Sequence, residues 1–82
     1  MNRPRPFAEQ KNIIGKKIVA LRKRDGLSQR ALAGKLQLVG MDMDKNVITR
    51  IETGKRFVTD FEIKAFAEVF EVSYGFLLDD IS

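Results

Sequence analysis

This chain of 82 residues predicts an all-α fold, a compact bundle of about five helices. Three observations carry that expectation. Apolar residues recur three and four positions apart along successive stretches, the spacing that gathers them on one side of a helix. Ser28, Asp44, Thr59 and Ser73 stand in front of such stretches, and their side-chain oxygens can accept from the free N–H groups of a first helical turn. Gly26 and Gly54 follow two of them, where a left-handed residue ends a helix.

Residues 1–6 (MNRPRP) read as a flexible basic arm, because Pro4 and Pro6 block a helix. Residues 7–82 then make a single domain with one small core, the size such a length allows. The first helix is expected from Phe7 or Ala8 to Asp25, with Ile14, Ile18 and Leu21 inward and Lys16, Lys17, Lys23 and Arg24 outward. The second opens behind Ser28, with Gln29 as its first residue and Ala31, Leu32 and Leu36 as packing. Gly34 costs roughly 1 kcal/mol relative to alanine in a helix interior, and nothing in the sequence explains it.

Gln37–Met43 read as an extended turn, bent at Gly40, with Leu38, Val39, Met41 and Met43 over the edge of the core. The third helix runs from about Lys45 to Thr53 behind Asp44. Ile48, Ile51 and Val47 make its inner side, while Lys45, Asn46, Thr49 and Arg50 share the other. Thr59 and Glu62 form a capping box that announces the fourth helix, with Ile63, Phe66, Ala67 and Phe70 as its buried stripe and Phe61 and Val69 pointing elsewhere, toward the extended turn or a second subunit. Phe57 and Val58 turn the chain back to the core. The four phenylalanines at 57, 61, 66 and 70 read as core rather than base-stacking platforms, since only Lys64 among them is basic. Ser73 caps a short last helix from Tyr74 to about Leu78. Phe76, Leu77, Leu78 and Ile81 either close the core or form a dimer contact.

Composition removes several function classes. The chain has no cysteine and no histidine, which excludes disulfides and the commonest zinc sites. The Asp42-x-Asp44 pair falls far short of the 6–8 oxygens calcium takes, so no metal and no cofactor is expected. Ser28 and Ser73 are accounted for as caps, and no carboxylate pair suggests a pocket that would raise a pKa; an enzyme is not expected. No apolar run approaches the roughly 20 residues needed to cross a bilayer, and the basic N-terminus lacks the apolar core of a signal peptide. The expected location is cytoplasmic.

Charge is divided unevenly. The net charge is +4, but residues 1–56 hold 14 Lys/Arg against 5 Asp/Glu and residues 57–82 hold 1 against 6. The first part should attract a polyanion and release its counterions on binding. The second part should stay away from it.

Leu27-Ser28-Gln29, Leu32-Ala33, Ile48-Thr49-Arg50-Ile51-Glu52 and Gly54-Lys55-Arg56 together resemble the Cro/repressor-type helix-turn-helix family, also called XRE-like and lambda-repressor-like. The similarity runs from about Ile14 to Leu78. It departs from the family between the second and third helices, where the chain is about five residues longer. The resemblance implies a recognition helix over 45–53 in the major groove, with Lys45, Asn46, Thr49 and Arg50 at the base-reading positions. It implies phosphate contacts from Ser28 and Gln29 at the start of the second helix and from Lys55 and Arg56 after the third. Arg3 and Arg5 in the arm join that set as candidates for phosphate or minor-groove contact. It also implies a structural ion pair between Arg22 and Glu52, which ties the first helix to the third and cancels an acid at the edge of a DNA-facing surface.

The expected function is a sequence-specific regulator of transcription that binds double-stranded DNA, a repressor of phage or bacterial type, acting as a homodimer on two half-sites. The alternative is an antitoxin or other protein-interaction module that also binds its own operator, with the apolar C-terminus and the acidic half as its partner surface.

Overall fold

In the computed structural model, residues 10–79 are described. They form α1 (Gly15–Arg24), α2 (Gln29–Leu38), α3 (Lys45–Glu52), α4 (Asp60–Phe70) and α5 (Tyr74–Leu78), with no strand among the described residues. Four of the five helices start on a side-chain oxygen. Ser28 Oγ accepts from the Ala31 N–H at 2.9 Å, Asp44 Oδ1 from Val47 at 2.9 Å and Ser73 Oγ from Phe76 at 3.0 Å. At α4 the box is reciprocal: Thr59 Oγ1 accepts from the Glu62 N–H at 3.2 Å while Glu62 Oε1 accepts from the Thr59 N–H at 3.0 Å. Each cap contributes about 1 kcal/mol by satisfying donors that the helix cannot.

The first helix is shorter than its sequence predicts. It begins at Gly15 instead of near Phe7 or Ala8; Phe7 and Ala8 themselves, like the arm with Arg3 and Arg5, lie outside the described residues. Asn12 is the physical reason. Its Oδ1 accepts from the N–H groups of Ile14 and Gly15 at 3.1 and 2.8 Å. Its Nδ2 donates to the carbonyls of Ile51 and Arg56 at 3.1 and 2.9 Å. A side chain so engaged holds the backbone in a turn rather than a helix. Gly15 follows because α1 and α3 meet there almost backbone to backbone: a Cβ on it would stand 2.5 Å from the Ile51 carbonyl oxygen.

The core draws on every helix. Ile14, just ahead of α1, joins Ile18 and Leu21 of α1, Leu32 and Leu36 of α2, Ile48 and Ile51 of α3, Phe66 and Phe70 of α4, and Leu77 of α5. Phe66 and Phe70 are buried, as expected, but Phe57 and Phe61 are 70% and 74% exposed. Phe61 lies five positions from Phe66, roughly 140° round the helix and off the buried stripe. Phe57 sits in the loop before α4, its ring 5.1 Å from the Lys11 ammonium. Ala31, expected to pack, is exposed on the outer side of α2.

The interhelical turn also shifts. Gln37 and Leu38 belong to α2, so the turn is confined to 39–44, and Leu38 points into solvent. Gly40 takes φ +88°, which reverses the chain, and the Met41 N–H returns to the Leu36 carbonyl at 2.9 Å. Met43 is buried and anchors the far end of the turn.

Two basic residues expected outward turn back onto the protein. The Lys17 ammonium donates to the carbonyls of Phe76 and Asp79 and lies 4.6 Å from the centre of the Phe76 ring. It thereby places a cation at the C-terminus of α5, where carbonyls lack helical partners. Arg24 holds Asp25 at 2.6 Å and donates to the Phe70 carbonyl at 3.1 Å, which joins the end of α1 to the end of α4.

Candidate nucleic-acid interface

α3 presents two unlike sides. Ile48 and Ile51 are fully buried and Val47 half-buried, while Lys45, Asn46 and Arg50 are exposed. These last three have no hydrogen-bond or ionic partner among the described residues. Three unengaged donors on one helical turn and a half, one of them an amide that also accepts, form a surface ready for an external polar ligand. Lys55, also exposed and without a side-chain partner among the described residues, follows just beyond the helix.

A polar network holds that helix in place from behind. The Arg22 guanidinium grips Glu52 through Nε at 2.7 Å and Nη2 at 3.1 Å, and its Nη1 donates to the Leu27 carbonyl at 3.0 Å. Gln29 adds a third donor to Glu52 at 2.8 Å, and its own Oε1 receives the Thr49 hydroxyl at 3.0 Å. The Glu52 carboxylate is thus almost fully enclosed, its side chain 5% exposed, and its charge is spent inside the protein. Helices α1, α2 and α3 meet at this one carboxylate.

Internal contacts engage four residues singled out from the sequence. Thr49 is half-buried, and its hydroxyl is engaged internally, 3.0 Å from both Gln29 Oε1 and the Lys45 carbonyl. Gln29 bridges α2 to α3 instead of projecting outward. Ser28 Oγ is taken by its cap. Arg56, expected on a phosphate, makes a two-point contact with Glu62 at 2.9 and 3.1 Å, leaving Lys55 as the unengaged cation of the pair. Burial opposes ionisation of Glu62, but the Arg56 guanidinium and the N–H and hydroxyl of Thr59 outweigh it and hold the carboxyl below its ordinary range.

Asn12 and Glu62 carry roles that the local sequence pattern does not announce. Asn12 positions the segment that carries Lys55, by donating to the carbonyl of Arg56. Its signal was an asparagine three residues ahead of a glycine, inside what read as a continuous helix. Glu62 is half of a capping box and also the buried acceptor that fixes Arg56.

On the other flank of α3, a concavity of about 620 Å³ opens between α2, the turn and the first residues of α3. Among the described residues, no group of three or more His, Cys, Asp or Glu could hold a metal ion.

A helix-turn-helix domain model matches residues 14–77, most of the chain. The chain belongs to the helix-turn-helix family. The matched family comprises XRE-like DNA-binding domains, typically non-catalytic, and the all-helical bundle is the fold such a domain adopts. In helix-turn-helix terms α2 and α3 are the motif and α3 its second helix. No curated protein and no solved structure matches the chain. No helix among the described residues is long and apolar enough to cross a membrane.

Proposed function

We propose that this helix-turn-helix protein is a sequence-specific regulator of transcription, a repressor of phage or bacterial type, that lays α3 in the major groove of double-stranded DNA. One observation carries the reading. Lys45, Asn46 and Arg50 stand exposed and unengaged on α3, while the opposite side of that helix is locked by buried isoleucines and the Glu52 network. Asn46 can pair in two-point fashion with adenine and Arg50 with guanine; Lys45 reaches a base or a phosphate. The engaged Thr49 contributes its methyl, which suits a thymine methyl, and Lys55 takes a phosphate. A rigid support matters because base readout depends on side chains held in register with the groove. Repression then follows from occupancy, since a bound domain excludes other proteins from the same stretch of duplex.

The same reading makes the protein a homodimer on two half-sites about one helical turn apart. Phe61 of α4 and Tyr74 and Leu78 of α5 line one exposed apolar surface, with Phe76 exposed elsewhere on α5, and these side chains support the pairing. Leu77, by contrast, is buried in the core, and Ile81 lies outside the described residues. That apolar surface equally supports a second reading, an antitoxin whose protein partner covers it; co-purification of a small toxic protein in place of self-association would decide for it.

Selection of bound duplexes from a random pool tests the proposal. A defined motif with two-fold symmetry is expected, and Asn46→Ala or Arg50→Ala should each relax one base-pair preference at a cost of ~1–3 kcal/mol. Retrieval of no sequence, or motifs unchanged by both substitutions, would sink it.

A further inference from the structure

Four acidic residues lie between positions 10 and 56, the strongly cationic part of the described chain, and three are occupied inside the molecule. Glu52 holds Arg22 and Gln29, Asp25 holds Arg24, and Asp44 accepts from the Val47 N–H. Asp42 is different. It is exposed and has no partner among the described residues. The turn carries it to the wall of the concavity of about 620 Å³ that it shares with Lys45 and Asn46 of α3 and Arg30 and Gly34 of α2. Buried Met43 and the reversal at Gly40 fix that placement. Gly34 lines the same concavity, with only empty space where a Cβ would stand.

An unpaired carboxylate beside a DNA-reading helix is repelled by phosphates and is unfavourable unless it accepts a hydrogen bond from a base. In the major groove the matching donor is the N4 amino group of cytosine. Adenine sets its N6 amino group beside the N7 lone pair, which opposes a carboxylate, and guanine and thymine present oxygens. The guanine paired to that cytosine offers two acceptors, O6 and N7. Lys45, on the same wall, is a donor for them. We infer that Asp42 and Lys45 together read one C·G base pair, beyond the pairs faced by Asn46 and Arg50. The inference rests on the proposal that α3 lies in the major groove, and it gives the extended turn a part in choosing the sequence.

The test uses the full chain, as wild type, Asp42→Ala and Asp42→Asn, in parallel selections from a random duplex pool. Dissociation constants follow for the preferred duplex and its variants at the candidate position. The wild type should favour C·G at a position distinct from those relaxed by Asn46→Ala and Arg50→Ala. Asp42→Ala should flatten that preference about 10-fold, while affinity for unrelated duplex holds or rises because a repelling charge is gone. Asp42→Asn, whose amide donates as well as accepts, should move the preference toward adenine. Circular dichroism melts should be unchanged, since the carboxylate has no partner among the described residues. Preferences that respond to Asn46→Ala and Arg50→Ala but not to Asp42→Ala overturn this inference alone. Loss of a pair other than C·G does the same, and a wild type that selects no sequence overturns both readings.

Discussion

The Arg22 guanidinium closes on the Glu52 carboxylate with contacts of 2.7 and 3.1 Å, and it ties α1 to the last turn of α3. The side chains of the pair are 15% and 5% exposed, so little water screens it. Removing one partner leaves the other charge enclosed without compensation, which costs ~3–5 kcal/mol. Glu52→Ala abandons three donors at once, two on Arg22 and one on Gln29. Urea unfolding should show that loss, and a cost below ~1 kcal/mol would place the pair with exposed ion pairs instead.

Acid should weaken the fold through Glu62. Its folded-state carboxyl lies below the ordinary value of 4.5, so the unfolded chain binds the proton more readily. The stability this contributes is therefore complete above about pH 4.5 and is lost as pH falls through the folded value. Thermal midpoints measured from pH 6 to pH 3 should fall more steeply for the wild type than for Glu62→Gln. Parallel curves would show that other carboxylates set the acid limit.

Neighbouring cations should behave differently. Lys55 is exposed and unengaged, so Lys55→Ala should weaken binding to all duplexes alike and flatten the salt dependence by about one unit. Arg56→Ala should instead cost about 2 kcal/mol of stability, because it strips a buried carboxylate of two charge-assisted hydrogen bonds. Salt titrations of binding, set beside urea unfolding, separate the two. An equal effect of both substitutions on the salt slope would return Arg56 to the phosphate set.

Gly34→Ala should stabilise the protein by about 0.5–1 kcal/mol. The position is interior to α2, and nothing stands within 4 Å of the added methyl group. A thermal midpoint that fails to rise would show that the glycine has a use within the free protein.

The exposed side of α5 supplies the last expectation. Phe76 and Leu78 are 46% and 41% exposed, so replacing both with serine should raise the monomer fraction in sedimentation while costing the core little. Unchanged association with a large fall in stability would assign both side chains to packing.

Local rules made much of this molecule legible in advance. Ser28, Asp44, Thr59 and Ser73 announced four helix starts, because a cap acts over three residues that adjoin in sequence. The inward isoleucines and outward lysine, asparagine and arginine of α3 follow from helical period alone. Tertiary structure decided what depends on partners far along the chain. Asn12 ends a helix that propensity would continue, because its amide is claimed by carbonyls 39 and 44 residues away. Arg56 has the same composition as any DNA-gripping arginine, yet Glu62 reaches it first. The family resemblance puts Thr49 on a base and Gln29 on a phosphate, but the approach of α2 to α3 joins them to each other. A side chain's reach is set by its own covalent structure; which group it meets there is set by how the helices pack.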